Sequence, residues 1–260
     1  MLVTTGNRFV AFFDLLGFKS WVVEEGSAKV FEYVRGFLNL MIRASLPCSV
    51  VNPDMSVDVK DSNMGFMNFS DSIVFYTRDD SDECFESMLK VSGEFMNGVI
   101  CGPSRLMRGA IAHGAFFADP ESNAYVGRAL IDAYELEEAQ DWLGLSIHNS
   151  VTALPQFDRA LAKHHTYIVR ALVPLKKSNL EPHGLPYCIN WADETHFIGH
   201  QFNTEHGLDD CYRRGLKNLN GDAEELAKLD RRIKHTREFL AHYNPSPAHI
   251  TRRLAAGGSP

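Results

Sequence analysis

FMNFSDSIVFYT (residues 66–77) is a strand-forming stretch that contains a carboxylate, and it is the starting point for predicting the fold. Residues 73–76 are β-branched and aromatic, which suits a pleated, half-buried surface. Ser70 and Asp71 interrupt this run. Because burying an unpaired carboxylate costs several kcal/mol or forces its neutralisation, Asp71 either marks the turn of a hairpin or is directed at a cation.

The segments on either side alternate between strand and helix patterns. The order predicts a ferredoxin-like βαββαβ fold of the α+β class, an antiparallel sheet with helices on one face. A second copy of the chain would cover the other face. We expect a catalytic domain over 1–195 and a C-terminal helical extension with a loose tail over 196–260. Further strands are predicted at 8–13, 105–112, 143–149, 167–175 and 185–191, and helices at 27–44, 81–99, 127–142 and 209–243.

Composition restricts the classes of partner. The 260 residues carry a net charge of −7, which argues against duplex nucleic acid or an anionic membrane as the main partner. No apolar run approaches the roughly 18 residues of a membrane span, and no leader pattern is visible at the start. The five cysteines form no CxxC pair, so we expect reduced thiols and a cytoplasmic protein.

Two aspartates are predicted to meet at one edge of the sheet. Asp14 ends the first strand, directly before the turn Leu16–Phe18 into a helix, and Asp71 lies at the bend of the neighbouring hairpin. Two close carboxylates repel unless a cation lies between them, and Mg²⁺ or Mn²⁺ accepts such ligands while leaving positions for phosphates. The free N–H groups of the helix start favour an anion, and Arg108 on the next strand is within reach of the same phosphates.

Four segments in this order resemble the landmarks of class III nucleotidyl cyclases. They are FFDLLGF (12–18), FSDSIVFY (69–76), MRGAIAHG (107–114) and YVGRALIDAYELE (125–137). The chain is most similar to the bacterial pyrimidine cyclases of Pycsar antiphage defence, which make cyclic UMP or cyclic CMP. The resemblance implies a head-to-tail homodimer with active sites at the interface, two metal ions per site, and attack of the ribose 3′-oxygen on the α-phosphate.

The resemblance assigns roles to individual residues. It implies that Asp14 and Asp71 are metal ligands, assisted by the backbone carbonyl of Leu15. Leu16, Gly17 and Phe18 would cradle the β and γ phosphates, and Arg108 would bind the triphosphate. The cofactor would be Mn²⁺ or Mg²⁺, and the substrate a pyrimidine nucleoside triphosphate, with UTP favoured over CTP on general resemblance only.

The chain departs from the purine cyclases at the transition-state pair. Those enzymes carry an Asn and an Arg four residues apart on the helix that here begins near Gly127, and the matching positions are Ile131 and Glu135. Arg128 lies one helical turn before Ile131, so it either supplies the missing cation to nucleotide bound at the partner or is an ordinary surface arginine.

The positions that read adenine also differ. The approximate matches to the purine-selecting Lys and Asp are Met67 and Ala124, which offer neither charge nor a side-chain hydrogen bond. Asn63 is a candidate for reading a pyrimidine edge, because an amide can both donate and accept. Two alternatives to a pyrimidine cyclase stay open: an adenylate or guanylate cyclase, and a catalytically inactive cyclase fold that acts as a binding module.

Overall fold

The computed structural model describes residues 5–59, 61–176, 187–193, 204–219 and 222–243. The strands are β1 (Asn7–Leu15), β2 (Ser49–Val51), β3 (Val57–Val59), β4 (Met64–Phe69), β5 (Ser72–Thr77), β6 (Met107–Asp119), β7 (Ala124–Gly127), β8 (Leu145–Ile147), β9 (Ile168–Arg170) and β10 (Tyr187–Ile189). The helices are α1 (Phe18–Glu25), α2 (Ser27–Tyr33), α3 (Asn39–Ser45), α4 (Asp82–Cys101), α5 (Arg128–Ala139), α6 (Asn149–Thr152), α7 (Pro155–Lys163), α8 (Thr204–Asn218) and α9 (Ala223–Tyr243). A π-helical turn, Val34–Leu38, joins α2 to α3.

Strand β1 lies in the middle of the main sheet. It pairs antiparallel with β5 on one side and with β6 on the other, and the sheet order is β4-β5-β1-β6-β8-β10-β9. The four strands β4, β5, β1 and β6, with α1–α3 and α4 as crossovers, form a ferredoxin-like core. The predicted fold class is confirmed, as is the helical C-terminal segment. The pairing of β6 with β8 is parallel, so the sheet is antiparallel in the core but not throughout.

The two faces of the sheet are covered differently. Residues of β1 alternate between faces: Phe9 and Phe13 pack with α4 in the larger core cluster, whereas Val10 and Phe12 pack with Ala129 and Ala133 of α5. Helix α5 therefore lies on the face that the sequence analysis had left for a second copy of the chain. It does so because small alanines on its inner side allow close approach to the strands.

Helix α4 begins at the predicted position. The Ser81 side chain accepts a hydrogen bond from the backbone N–H of Cys84 at 3.3 Å, and Asp82 and Glu83 occupy the first turn. Acceptors and acidic groups at this position stabilise a helix start. The helix then packs across one face of the sheet, where Phe85, Met88 and Phe95 are fully buried.

The C-terminal helices are packed against the sheet-containing part of the chain rather than held apart from it. Leu208 and Cys211 of α8, and Leu229, Ile233 and Phe239 of α9, belong to the same buried cluster as α4. The predicted domain boundary at 195/196 and the tail lie outside the described residues. None of the helices in the described ranges is long and apolar enough to cross a membrane.

Several element boundaries differ from the prediction. Helices α6 and α7 were not predicted. Helix α6 has only four residues, too few for a helical period, whereas Phe157, Ala160 and Leu161 of α7 do follow one and were missed. The strand predicted over 167–175 is regular only at Ile168–Arg170. Beyond it, a single bridge joins Leu175 to Gln140. The strand at 105–112 extends instead to Asp119 and forms a hairpin with β7.

Candidate active site

Asp14 and Asp71 meet at one end of the central strands. The backbone N–H of Leu15 donates to the backbone carbonyl of Asp71 at 3.0 Å. Asp71 lies in the two-residue turn between Phe69 and Ser72, where Ser70 adopts a φ of 59°. Asp71 therefore turns the hairpin, and its charge lies close to that of Asp14; its role toward a cation stays a prediction.

The electrostatics of Asp14 show how close the groups are. Partial burial raises the pKa of Asp14 above its usual value, and the negative charge of Asp71 raises it further. The positive charges of Arg108, Lys176 and Arg232 oppose this rise. A carboxylate in this position is stabilised by an additional cation.

The donor set fits a divalent metal of the Mg²⁺ or Mn²⁺ type. A leucine side chain has no oxygen, so Leu15 can contribute only its backbone carbonyl. Within the described ranges there is no group of three or more His, Cys, Asp or Glu side chains that could hold a metal ion. Mg²⁺ is usually bound by only one or two carboxylates, and its remaining coordination positions are filled by water and by substrate phosphates. Two carboxylates are therefore sufficient.

The turn after Asp14 can receive an anion. Gly17 adopts a left-handed conformation, with φ 76° and ψ 17°, at the N-cap of α1, where glycine is favoured. The first turn of α1 has neither a side-chain cap nor an acidic residue, so its N–H groups are available to a ligand. Leu16 is the exception, because its N–H already donates to the carbonyl of Leu106 at 2.9 Å.

Arg108 reaches the site but is held by α5. Asp14 pairs with Arg108 across the β1–β6 ladder. The Nε of Arg108 donates to the Glu137 carboxylate, and Nη1 donates to the Gln140 carbonyl at 2.9 Å. Only 6% of the Arg108 side chain and 3% of the Glu137 side chain are exposed. Its charge lies beside Asp14, yet two of its N–H bonds are already used within the chain.

Glu137 was not among the site residues predicted from the sequence. Burial raises its pKa to about 7, an effect that Arg108 opposes. Its position could have been found from the helical period, because Ala129, Ala133 and Leu136 define the buried side of α5. Glu137 falls on that same stripe. A carboxylate there requires a buried cation, and Arg108 is that cation.

Asn63 and Arg128 do not join this cluster. Asn63 donates to the Ser87 hydroxyl of α4 at 3.0 Å, on the opposite face of the sheet. At ~3.3 Å per residue, the length of β4 places it about 20 Å from the hairpin turn. The suggestion that Asn63 reads the base in this site is therefore wrong for a physical reason. Arg128 lies at the far end of α5, exposed and bonded to Asp132 at 2.6 Å.

An apolar surface extends from the carboxylates over the same face. Phe69, Ser72, Asp14 and Arg108 lie in one row across β4, β5, β1 and β6. Met67 lies two residues along β4 and packs against the buried cluster that contains Val74 and Tyr76. From strand spacing and rise, Met67 is about 12 Å from Asp14.

Comparison with known proteins adds little beyond the fold. No family model matches the sequence, and no curated protein matches it. Among solved structures, the chain is similar to a bacterial light-regulated adenylyl cyclase, at 11% identity and a TM-score of 0.44. The superposition covers 74% of this chain and 93% of that one. A likeness at this level is not evidence for function, so the assignment depends on the residues of the site.

Proposed function

We propose that the chain is a nucleotidyl cyclase that converts UTP or CTP to the cyclic monophosphate and pyrophosphate, with UTP favoured. The observation that carries the proposal is the Asp14–Asp71 pair, held by a backbone hydrogen bond beside an uncapped helix start. A structural protein gains nothing from placing two repelling carboxylates together. A role in antiphage signalling is supported by the sequence resemblance alone.

Some of the site residues would hold or balance charge, and others would orient the phosphates. Two Mn²⁺ or Mg²⁺ ions, when bound, neutralise phosphate charge and increase the reactivity of the 3′-oxygen. Asp14 and Asp71 would hold them, with the Leu15 carbonyl. The N–H groups of Gly17 and Phe18 would orient the terminal phosphates. Arg108 keeps a positive charge beside Asp14, and the N–H donors it has not used are those available to a phosphate oxygen.

The surface around Met67 supports a pyrimidine rather than a purine substrate. Met67 packs against the cluster that contains Val74 and Tyr76, and Ala124 is exposed at the start of β7. Neither a methionine nor an alanine offers a side-chain hydrogen bond to adenine. Apolar walls discriminate by size and only modestly, whereas matched polar groups discriminate strongly. Without matched polar groups, this surface gains little binding energy from a purine, although a purine is the larger base.

The active form is proposed to be a homodimer. Ile131 and Tyr134, on the outer side of α5, are 50% and 46% exposed, and Phe69 at the hairpin is 77% exposed. All three lie on the α5 side of the sheet, and the Tyr134 ring rests on Phe12 at 5.4 Å. A two-fold contact over this side would bury them and bring Arg128 of each subunit toward the other.

Mixing two defective variants tests whether both subunits contribute residues to one active site. Asp71→Asn homodimers and Arg128→Ala homodimers should each be nearly inactive. A mixture should recover up to about one quarter of parental activity, because half of the subunit pairs are heterodimers with one intact site each. Arg35→Ala, which removes another exposed arginine paired with a glutamate on its own helical segment, serves as control and should stay active alone. No recovery in the mixture would contradict a site built by both subunits with Arg128.

The basic experiment is a product assay. The purified chain is incubated with each nucleoside triphosphate and Mn²⁺, and pyrophosphate and nucleotide products are measured. We expect pyrophosphate in equal amount to a 3′,5′-cyclic monophosphate. A diphosphate product with inorganic phosphate would show a hydrolase, and no product from any nucleotide would support the inactive binding module.

A further inference from the structure

A small cavity lies on the other side of the Leu16–Phe18 turn, closed by the C-terminal helices. It has a volume of about 50 Å³ and is lined by the turn, by the segment Ser104–Leu106, and by residues of α8 and α9. A buried water needs about 10–15 Å³ of such space. The cavity therefore has room for a group of phosphoryl size and not for a nucleoside.

Three arginines from three different elements line this cavity. They are Arg105 before β6, Arg214 on α8 and Arg232 on α9, and the one acidic residue among the lining is Glu225. Glu225 is already paired with Lys228 at 2.7 Å. In a chain with a net charge of −7, a concentration of positive charge at one place needs a local reason.

Two of these arginines carry buried Nε donors. Within the described part of the chain, the Nε atoms of Arg105 and Arg232 make no hydrogen bond, although the Nε of Arg232 lies 3.6 Å from the Asp141 carboxylate. Arg105 is stacked at 3.5 Å over the Trp21 ring, which fixes its plane. Burial lowers the pKa of Arg232, and the charge of Arg108 lowers it further. Unsatisfied buried donors are costly, and an anion in the cavity would satisfy them.

Arg214 differs from the other two. It is exposed at the mouth of the cavity, and within the described part of the chain it makes no ion pair. Burial lowers the pKa of Arg105, and the charge of Arg214 lowers it further, so the two guanidinium groups lie near each other; the nearest carboxylate to Arg105 is that of Glu25, at 4.0 Å. Like charges are held together at a cost unless a negative group joins them.

We propose that this cavity binds the terminal phosphoryl groups of a polyphosphate, with Arg105, Arg214 and Arg232 as its cations. The proposal rests on the proposed function in one respect, namely that the polyphosphate is the tail of the nucleotide whose α-phosphate lies beside Asp14 and Asp71. Helices α8 and α9 thereby become part of substrate binding. The uncapped start of α1 supplies N–H donors from the adjacent side.

The test measures anion binding without chemistry. Tripolyphosphate, pyrophosphate and orthophosphate are titrated by calorimetry into the full chain in EDTA, so that metal binding does not contribute. Arg214→Gln should weaken tripolyphosphate binding about tenfold or more, as expected for loss of one charged hydrogen bond. Arg213→Gln is the matched control, since Arg213 is exposed on the same helix and pairs with Asp210; it should change little. Arg214 is exposed, so its replacement should leave folding intact.

The outcomes separate this inference from the cyclase assignment. Asp71→Asn should still bind tripolyphosphate in EDTA while losing turnover. A chain that makes no cyclic product yet loses anion binding with Arg214→Gln would keep this inference and reject the cyclase. Equal tripolyphosphate affinity in Arg214→Gln and the parent would overturn the inference, even with full cyclase activity. Orthophosphate binding as tightly as tripolyphosphate would overturn the assignment to a nucleotide tail.

Discussion

Asp71→Asn should reduce cyclase turnover by at least about 100-fold, because a metal-phosphate interaction worth several kcal/mol is lost. The fold should survive. The backbone carbonyl of Asp71 accepts the Leu15 N–H, and this bond does not depend on the side chain. Asparagine suits a tight turn as well as aspartate does. Removing one of two repelling charges should leave the free energy of unfolding unchanged or slightly raised.

A matched control separates site chemistry from charge in general. Asp58→Asn makes the same change at an exposed position of β3, in the separate two-stranded sheet, and should leave turnover within about twofold of the parent, as surface substitutions do. Turnover is measured with saturating Mn²⁺, and stability by urea unfolding. Parental turnover in Asp71→Asn would remove the basis for the metal assignment.

Arg108→Met should lower the free energy of unfolding by about 3–5 kcal/mol, because it leaves the Glu137 carboxylate buried without its cation. The double variant Arg108→Met/Glu137→Gln should recover most of that loss, since no charge is then left unpaired. Both side chains are almost fully buried, so solvent cannot compensate for the missing partner. Urea unfolding of the parent, both single variants and the double variant gives the coupling energy directly.

Helix α5 offers its own comparison for this pair. Arg128 and Asp132 are also an arginine–carboxylate pair, but 71% of the Arg128 side chain is exposed. Arg128→Met should therefore cost less than about 1 kcal/mol, as for other surface ion pairs. A small loss for Arg108→Met, comparable to that for Arg128→Met, would contradict a buried ion pair as the element that holds Arg108.

The sequence was sufficient for the core of the fold because its signals are local. A continuous apolar β1, a hairpin interrupted by a polar turn, and the Ser81 cap of α4 each follow from neighbouring residues. The meeting of Asp14 and Asp71 also followed, since strand order fixes which strand ends are adjacent.

The features that were missed depend on contacts distant in sequence. The helical period places Glu137 on the buried side of α5, but its ion pair with Arg108 of β6 joins residues distant in sequence. Asn63 was placed near the site by assuming a regular strand face, but the residue lies before β4 begins and bonds to α4. The role of Arg232 beside Asp14 depends on how α9 docks. The packing of one helix against a distant part of the chain cannot be predicted from helical periodicity or from local residue spacing.

A cyclase selective for pyrimidines should convert UTP or CTP in preference to purine nucleotides when all four compete. The purified chain is given an equimolar mixture of ATP, GTP, UTP and CTP with Mn²⁺, and cyclic products are resolved by mass. The account predicts that cyclic UMP or cyclic CMP predominates by about tenfold or more over cyclic AMP and cyclic GMP, which corresponds to a difference of ~1.4 kcal/mol in transition-state binding. Cyclic AMP or cyclic GMP formed in amounts equal to the pyrimidine products, or no cyclic product at all, would contradict it.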